Sequence, residues 1–510
     1  MKLLLTVRNT SFSLEPYGNQ RITPDIINKM ENILKNINYK YKTYNFFYDK
    51  KYRKKVKKED KIYFNYIKHK ARYTYHINCM KEILGRLGND GFTKDSFVLV
   101  SKKEYTIDSI DINLNNSFIP KGYQDEFINK ILASSNLSNL IDLPTGYGKS
   151  LVAAFVMAYY SVKGIFIMLP RYIVKWVDDM VKYTDTKESD IYIVRGADSL
   201  LKLLEDPTPY KYIILATRTF SNIMSSYENN DNYLLDFPLE EIAERLRVGF
   251  LFNDETHQEF HCVFKSMLYF NVKKILASTA TLIHNSPEIV RMYNIVFPLE
   301  NRITVNVEIK KYLNIRSVLY SLSSIRGIKM QTHMGYSHPM FEQQIMMRPY
   351  MLKDYIDMID YYFINEYYVN RKPGQVLLIF VARVNMAMYI KGFLKQKYPE
   401  LNISTYVEDD EYDTIFKNDV IISTHGSAGT ALDIPNLTRV FQTVPMMTKQ
   451  GNVQNPGRLR NIEEEEVIYY YFYTNAIPAH KKYHFARKHL LISRTKTYLE
   501  LVYSRIIKTR

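Results

Sequence analysis

Leu140-Ile141-Asp142-Leu143-Pro144-Thr145-Gly146-Tyr147-Gly148-Lys149-Ser150 decides how the rest of the chain is read. Leu140–Leu143 reads as a short strand, and the nearly all-apolar Lys149–Tyr160 as a buried helix. Between them lie small residues that let backbone N–H groups turn inward onto an anion, where the helix N-terminus adds its positive dipole end. In that context the loop is a phosphate cradle. Thr145, Gly146 and Gly148 shape it, Lys149 would reach the β- and γ-phosphates, and Ser150 would hold Mg²⁺. Leu143 stands where the general pattern has a first glycine.

Outward from this loop the pattern alternates. Gly164–Leu169, Tyr212–Ala216, Gly249–Asn253 and Lys274–Ser278 are further short apolar strands, with a helical segment at Val174–Tyr183. Such runs separated by helices point to a parallel sheet covered on both faces. The alternation resumes after residue 370 with strands at Gln375–Val381, Asp419–Ser423, Val440–Val444 and Val467–Tyr473, and a helix at Asn385–Gln396. The expected class is α/β, with two tandem parallel-sheet domains at 116–300 and 301–510, the second ending in C-terminal helices. Residues 1–115 lack the alternation and are expected to form a small basic accessory domain.

Composition narrows the reading. Over 510 residues, 46% hydrophobic and 24% charged is globular, so a wholly disordered chain is excluded. Lys and Arg number 69 against 53 Asp and Glu, a net +16. Residues 1–115 hold 23 of those cations and 12 of the acids, so most of the excess sits there and calls for a polyanionic partner. Two cysteines, Cys79 and Cys262, exclude a disulfide scaffold and a cysteine-rich zinc module, and fit a reducing compartment. The start is too short an apolar run for a signal peptide, and Leu151–Pro170 is broken by Ser161, Lys163 and Gly164, so a cytoplasmic protein without a membrane span is expected. The 44 tyrosines follow the abundance of Lys, Asn and Ile that an AT-rich genome produces.

About 105 residues beyond the phosphate loop, Asn253-Asp254-Glu255-Thr256-His257 ends a strand in adjacent carboxylates. Asp254 would bind Mg²⁺, and Glu255 would orient and deprotonate the attacking water. Asp-Glu-Thr-His resembles the DExH box of superfamily 2 helicases, and further motifs stand in order along the chain. Tyr123-Gln124 resembles the adenine-reading glutamine, with Lys121 where the family often has an arginine packing on adenine. Leu169-Pro170-Arg171 with Trp176, and Thr217-Arg218, resemble nucleic-acid contacts of the first motor domain; Thr279-Ala280-Thr281, with His257, resembles the elements coupling hydrolysis to movement. In the second domain Ser423-Thr424, Gly429 and Leu432-Asp433 are similar to the fifth motif, in which Ala431 replaces a usual glycine. Gln454, Gly457-Arg458 and Arg460 are similar to the sixth, in which the family's arginines lie three apart rather than two.

The resemblance covers residues 115–480 and implies two RecA-like motor domains, with ATP and Mg²⁺ as cofactors. It implies catalytic roles for Lys149, Asp254, Glu255, Gln454, Arg458 and Arg460, nucleotide contacts from Gly429 and Asp433, and backbone grip by Arg171, Thr217 and Thr424. Either Arg458 or Arg460 is the arginine finger, with Arg460 favoured. In layout the chain looks most like the phage recombination and branch-migration helicases of the UvsW type. The activity this implies is an ATP-dependent DNA helicase or translocase acting on forked and junction DNA in replication, recombination or repair. An RNA helicase or transcript-release factor, and an ATP-gated clamp with little turnover, are the rivals. No carboxylate-and-lysine nuclease signature is evident, so a restriction-type motor subunit is less favoured.

Two segments outside the motifs are basic. Lys50–Lys58, with Lys54, Lys55, Lys57 and Lys58 at its densest, reads as a DNA-binding arm. Residues 479–510 hold nine Lys/Arg and one acid, and Leu490, Leu491, Leu499, Val502 and Ile506 recur at helical spacing, which predicts core-packing helices.

Overall fold

A computed structural model describes the chain except residues 1, 19–21, 36–45, 50–53, 58–62, 144–146, 231–232, 280–286, 306–310, 323, 333–334, 408–409, 411, 426–433, 447–450, 453–454, 463–464, 493–494 and 508–510. It divides into two compact units, Met1–Asn306 and Val307–Arg510.

The first unit holds two sheets. Strands β1 (Leu3–Val7), β2 (Ser11–Pro16), β5 (Asn65–Ile67), β6 (Arg72–His76) and β7 (Phe97–Ser101) form a five-stranded sheet in the order β5-β6-β2-β1-β7. Only the β1–β7 pair is parallel. Helices α1 (Pro24–Leu34) and α2 (Met80–Asn89) bury Met30, Leu34, Ile83 and Leu87 in the same small core. Strands β3 (Phe46–Asp49) and β4 (Lys54–Lys57) make a separate antiparallel ribbon, so Lys54, Lys55 and Lys57 lie on a strand; Lys58 lies outside the described residues.

The second sheet has seven strands, all parallel: β10 (Ile191–Val194), β11 (Tyr212–Ala216), β9 (Gly164–Met168), β12 (Phe250–Asn253), β13 (Lys274–Thr279), β8 (Ser138–Asp142) and β14 (Arg302–Ile303), in that spatial order. Helices α3 (Gly122–Ala133), α4 (Lys149–Tyr160), α5 (Ile173–Tyr183), α6 (Ala197–Glu205), α7 (Thr217–Asn229), α8 (Ile242–Arg245), α9 (Phe260–Tyr269) and α10 (Pro287–Val296) connect them. β9, β11 and β13 are buried along their whole length, as a parallel sheet covered on both faces requires.

The two sheets of this unit share a buried seam. Helix α9 is buried at every position but His261, because it packs against β2 and β6 of the small sheet as well as against the core of the parallel sheet. Thr10 Oγ1 donates to the Phe270 carbonyl at 2.9 Å, and the Asn9 amide donates to Asn271 Oδ1 at 2.8 Å. Deeper in the seam Arg8, Arg72 and Glu240 are enclosed together. Residues 1–115 thus have their own sheet yet fold as one body with the first parallel sheet.

The second unit repeats the parallel architecture: β19 (Ile403–Tyr406), β20 (Val420–Thr424), β18 (Val376–Val381), β21 (Leu437–Gln442), β22 (Val467–Tyr473), β15 (Leu313–Leu322) and β23 (Thr497–Ile507), in spatial order, every pair parallel. A two-residue ribbon, β16 (Gln331–Thr332) with β17 (Gly335–Tyr336), stands apart. Leu377, Ile379 and Val381 enter one core with helices α11 (His338–Met346), α12 (Pro349–Phe363) and α13 (Val384–Lys397), while Val376, Leu378 and Phe380 enter another on the opposite face. The tyrosines of β22 divide the same way, Tyr470 to the first core and Tyr469, Tyr471 and Tyr473 to the second, so they are packing residues.

The tail corrects one expectation. Leu490 and Leu491 lie on a helix, Pro478–Leu491, but Leu499, Val502 and Ile506 lie on strand β23, paired with β15. Leu499 and Val502 are exposed, at 49% and 70%. The run Thr497-Tyr498 and Val502-Tyr503 is β-branched and aromatic, and that preference, with the open edge of β15, outweighs an apolar spacing compatible with a helix. Among the described residues no helix is long and apolar enough to cross a membrane.

Candidate active site

β8 delivers the chain to the phosphate loop. Pro144, Thr145 and Gly146 lie outside the described residues; Tyr147 and Gly148 come next, and Lys149 and Ser150 are the first residues of α4. Gly148 caps the helix at φ +85°. A Cβ there would lie 2.2 Å from Gln124 Nε2, so both the left-handed backbone and the space demand glycine. Gln124 is buried at the start of α3. Its Nε2 donates to the Tyr147 carbonyl at 2.9 Å and its Oε1 accepts from the Lys121 amide at 2.7 Å. The carboxamide expected to read adenine is therefore tied to the loop beside it, while the Lys121 side chain is exposed.

β12 brings the acidic pair to the same edge. Asp254 is held at both oxygens: Oδ1 accepts from Ser278 Oγ at 2.5 Å and from the Glu255 amide at 2.9 Å, and Oδ2 from Trp176 Nε1 at 2.8 Å. Burial opposes its charge, but Lys149 and Lys175 with these hydrogen bonds hold its carboxyl below the usual carboxylate range. Glu255 sits at φ +46°, a left-handed conformation that costs a non-glycine residue about 1–2 kcal/mol. Its Oε1 pairs with Lys149 Nζ. Its Oε2, buried and accepting no hydrogen bond, lies 3.3 Å from His257 Nδ1. The same Nδ1 is 2.8 Å from Thr279 Oγ1, so His257 and Thr279 do meet; Thr281 lies outside the described residues. Burial works against the Lys149 ammonium, yet Glu255 and Asp254 outweigh it and raise its pKa.

The expected nucleic-acid contacts divide by exposure. Arg171, exposed on the short turn Pro170–Tyr172, donates to Gln258 Oε1 at 2.6 Å, and Gln258 Nε2 donates to the Tyr172 hydroxyl at 2.7 Å. Thr217 and Arg218 open α7, with Arg218 exposed and Thr217 buried at 3%. Trp176, read from the sequence beside Arg171 as part of a nucleic-acid motif, is instead buried against Asp254, because its indole N–H needs an acceptor once the ring is enclosed. Three residues that sequence reasoning passed over also stand here: Ser278, Gln258 and Asp179. Each adjoins a recognised motif, and none has a spacing of its own that would single it out.

In the second unit, β20 ends at Thr424, and β21 places Gln442 next to His425, Nε2 to Nε2 at 2.5 Å. Asn455 Nδ2 donates to Gln442 Oε1 at 2.9 Å. Arg458 is buried at 3%, whereas Arg460 is half-buried and donates to the Gly457 carbonyl at 3.0 Å. Arg487, also missed from sequence, reaches the same segment from the last helix through Asn452 Oδ1 at 2.6 Å. Gly429, Asp433 and Gln454 lie outside the described residues.

Lys149 at the head of α4 and the carboxylate pair at the end of β12, one strand removed from β8 in the sheet, are thus brought together at one edge. Residues 117–284 match the family model described as "Type III restriction enzyme, res subunit". No curated protein matches the chain. Among solved structures it is similar to Dbp5 of S. cerevisiae bound to RNA and ADP BeF3, at 12% identity over 75% of this chain and 90% of that one, with a TM-score of 0.48. It is also similar to the Pyrococcus furiosus Hef helicase domain, at 14% identity over 72% and 98%, with a TM-score of 0.44.

The metal that the sequence leads one to expect is Mg²⁺. Among the described residues no group of three or more His, Cys, Asp or Glu could hold a metal ion by itself; Ser150 and Asp254 are hard oxygen groups of the kind such a cation takes beside phosphate oxygens. Oxygens of Asp179 and Glu255 are buried without a hydrogen-bond donor, and Asp254 opposes the charge on Asp179.

Proposed function

We propose that the protein is an ATP-dependent DNA translocase that remodels forked or junction DNA. The observation that carries the reading is the Lys149–Glu255–Asp254 constellation, joined through Gln258 to the exposed Arg171. In this arrangement Lys149 neutralises Glu255. A triphosphate competes for the ammonium, and the released Glu255 becomes the acceptor for a water proton at Oε1. Ser150 and Asp254 would hold Mg²⁺, which supplies charge neutralisation to the phosphates when bound. Gln124 would seat the base side of the nucleotide, and Gly148 would lie against its phosphates. Arg171 and Arg218 present charge for a phosphodiester backbone, a contact that positions a strand without reading its sequence.

Preference for DNA draws on the basic first quarter, whose small sheet is part of the same folded body as the motor core, so its charge moves with the motor. The proposed family relationship, to UvsW-type recombination and branch-migration helicases, rests on this layout and the motif order.

The test is steady-state ATP hydrolysis with no nucleic acid, single-stranded DNA, a four-way DNA junction and RNA of matched sequence. Junction DNA is expected to stimulate most. Stimulation by RNA alone would replace this reading with a transcript-directed one, and turnover indifferent to all of them would leave an ATP-gated clamp.

A further inference from the structure

The small sheet ends in two edges that differ in kind. β5, at one end, is buried over its whole length and packs against α7. β7, at the other, leaves Leu99 66% and Val100 36% exposed. The Lys102 amide donates to the Val7 carbonyl at 2.8 Å. The N–H and C=O of one strand residue point to the same side, and successive residues alternate. Val98 and Val100 therefore face β1, while Phe97, Leu99 and Ser101 turn both groups outward. An open edge of this kind is a template for another strand, and folded chains usually blunt it with a charge, a proline or a bulge. Strand β23, the exposed edge of the second unit, carries Glu500 and an irregularity in its register with β15. The run Phe97-Val98-Leu99-Val100-Ser101 has none of these devices.

We infer that β7 is a homodimer edge, pairing antiparallel with β7 of a second copy about a dyad at Leu99. Three features of the strand favour its own copy over an unrelated strand. The first is the hydrogen-bond pattern. Leu99 is an outward-turned residue, so in this register the two copies of it exchange both of their hydrogen bonds, and Phe97 exchanges its own with the partner's Ser101. A shift of one residue would set outward groups against inward ones. The second is apolar continuity. Phe97 lies on the sheet face of Leu3, and Leu99 on that of Leu5, and Leu3 and Leu5 belong to the small core. Pairing at the dyad extends that face from Leu99 to the partner's Leu99. The third is charge. Lys94 and Asp95 precede the strand in a short turn, Lys103 and Glu104 follow it, and all four are exposed. Pairing centred on Leu99 brings Asp95 level with the partner's Lys103 and Lys94 level with the partner's Glu104. Of the two nearest alternative registers, one sets Lys94 level with the partner's Lys102, and the other sets Asp95 level with the partner's Tyr105. The edge is short and stands at the small end of specific interfaces, so the dimer is expected to form at micromolar concentrations.

None of these residues belongs to the ATP site, so the dimer stands or falls apart from the hydrolase reading. Sedimentation equilibrium of the full chain from about 1 to 100 μM tests it. Wild type is expected to pass from monomer to dimer over that range. Leu99→Lys sets two ammonium groups side by side at the dyad and is expected to weaken dimerisation about tenfold or more. Because Leu99 is exposed, thermal unfolding of this variant at monomeric concentration should match that of the wild type. Asp95→Lys and Lys103→Asp should each weaken the dimer at low salt, and the two together should restore it, which a contact elsewhere on the surface would not produce. A wild-type chain that stays monomeric throughout, leaving the edge to a strand of some other protein, overturns the inference. So does a dimer whose constant is unmoved by Leu99→Lys, or a charge-swapped double variant no stronger than either single one.

Discussion

Replacing Glu240 tests whether the small basic sheet and the first motor sheet are one cooperative structure. Glu240 is fully enclosed. Its Oε2 accepts from the Tyr227 hydroxyl at 2.7 Å, and its Oε1 lies 3.6 Å from Arg72 Nη1 and 3.5 Å from Thr74 Oγ1. Arg72 retains Glu15, at 2.8 and 3.1 Å, when Glu240 is removed. Arg8, 4% exposed, keeps no such partner: its side chain meets Ser13 at 3.5 Å, and Glu240 is the leading charge that supports it. Removing one member of a buried ion cluster strands the others and costs about 3–5 kcal/mol. For a unit of this size that is roughly a 6–10 °C fall in Tm, since each kcal/mol moves a large domain by about 2 °C. Calorimetry of Glu240→Ala should show this fall, with the small sheet and the motor sheet melting together. Adding Arg8→Met should recover part of it, because the stranded charge is then gone. Burial works against the Glu240 charge, but Arg72, Arg8 and Tyr227 lower its pKa overall. Its contribution is therefore present above the ordinary carboxylate range and fades as pH falls through its folded value, a slope that Glu240→Gln should flatten. A change under about 1 kcal/mol, or separate melting of residues 1–115 in the wild type, would refute the reasoning.

Gly148→Ala should weaken ATP-analogue binding about tenfold or more, measured by fluorescence titration, since the left-handed backbone costs about 1–2 kcal/mol and the methyl group displaces Gln124 from Tyr147. Glu255→Gln should lower ATP turnover about 10²–10³-fold while DNA binding, followed by anisotropy, stays near wild type; loss of both together would remove Glu255 from the role given to it. Neutralising Lys54, Lys55, Lys57 and Lys58 should flatten the salt dependence of DNA binding by a slope of about 0.9 for each phosphate no longer neutralised, and an unchanged slope would return that ribbon to plain solvated surface. Burial drives the His76 pKa down to about 3, so it stays neutral in the fold while the unfolded chain takes up a proton below the ordinary histidine value. Stability should thus be level above that value and fall as pH drops towards about 3, and His76→Asn should lessen the slope in acid unfolding.

The parallel sheets were legible because their strands are short apolar runs with no competing reading. Lys149–Tyr160, Tyr212–Ala216 and Val467–Tyr473 have the observed boundaries to the residue. β15 was not, because Leu313–Leu322 mixes Asn314, Arg316 and Ser317 among its apolar residues, and those polar groups find partners across the sheet. β23 was misread because five apolar positions fit a helix and a strand alike until a sheet edge is available. The site shows the same division. Lys149, Asp254 and Glu255 could be read from local spacing, since a phosphate loop and an acidic pair are contiguous in sequence. Trp176 and Ser278 act on Asp254 across 78 and 24 residues, and nothing local marks either of them.

Helix α9 ties these levels together. It comes just after the Asp-Glu-Thr-His segment and is sealed between the motor sheet and the small N-terminal sheet, so it cannot shift without disturbing β2 and β6. Close-packed interiors transmit such displacements rather than absorb them. Glu255, strained at φ +46° just ahead of it, is held in that conformation by the structure around it. On the proposed reading, a nucleotide that draws Lys149 away from Glu255 acts on a segment whose far end is clamped by the small N-terminal sheet. Any motion started at the phosphates has one route that is stiff, through α9, and one that is open to solvent, through Gln258 and Arg171. The exposed route is the one that can meet a nucleic-acid strand.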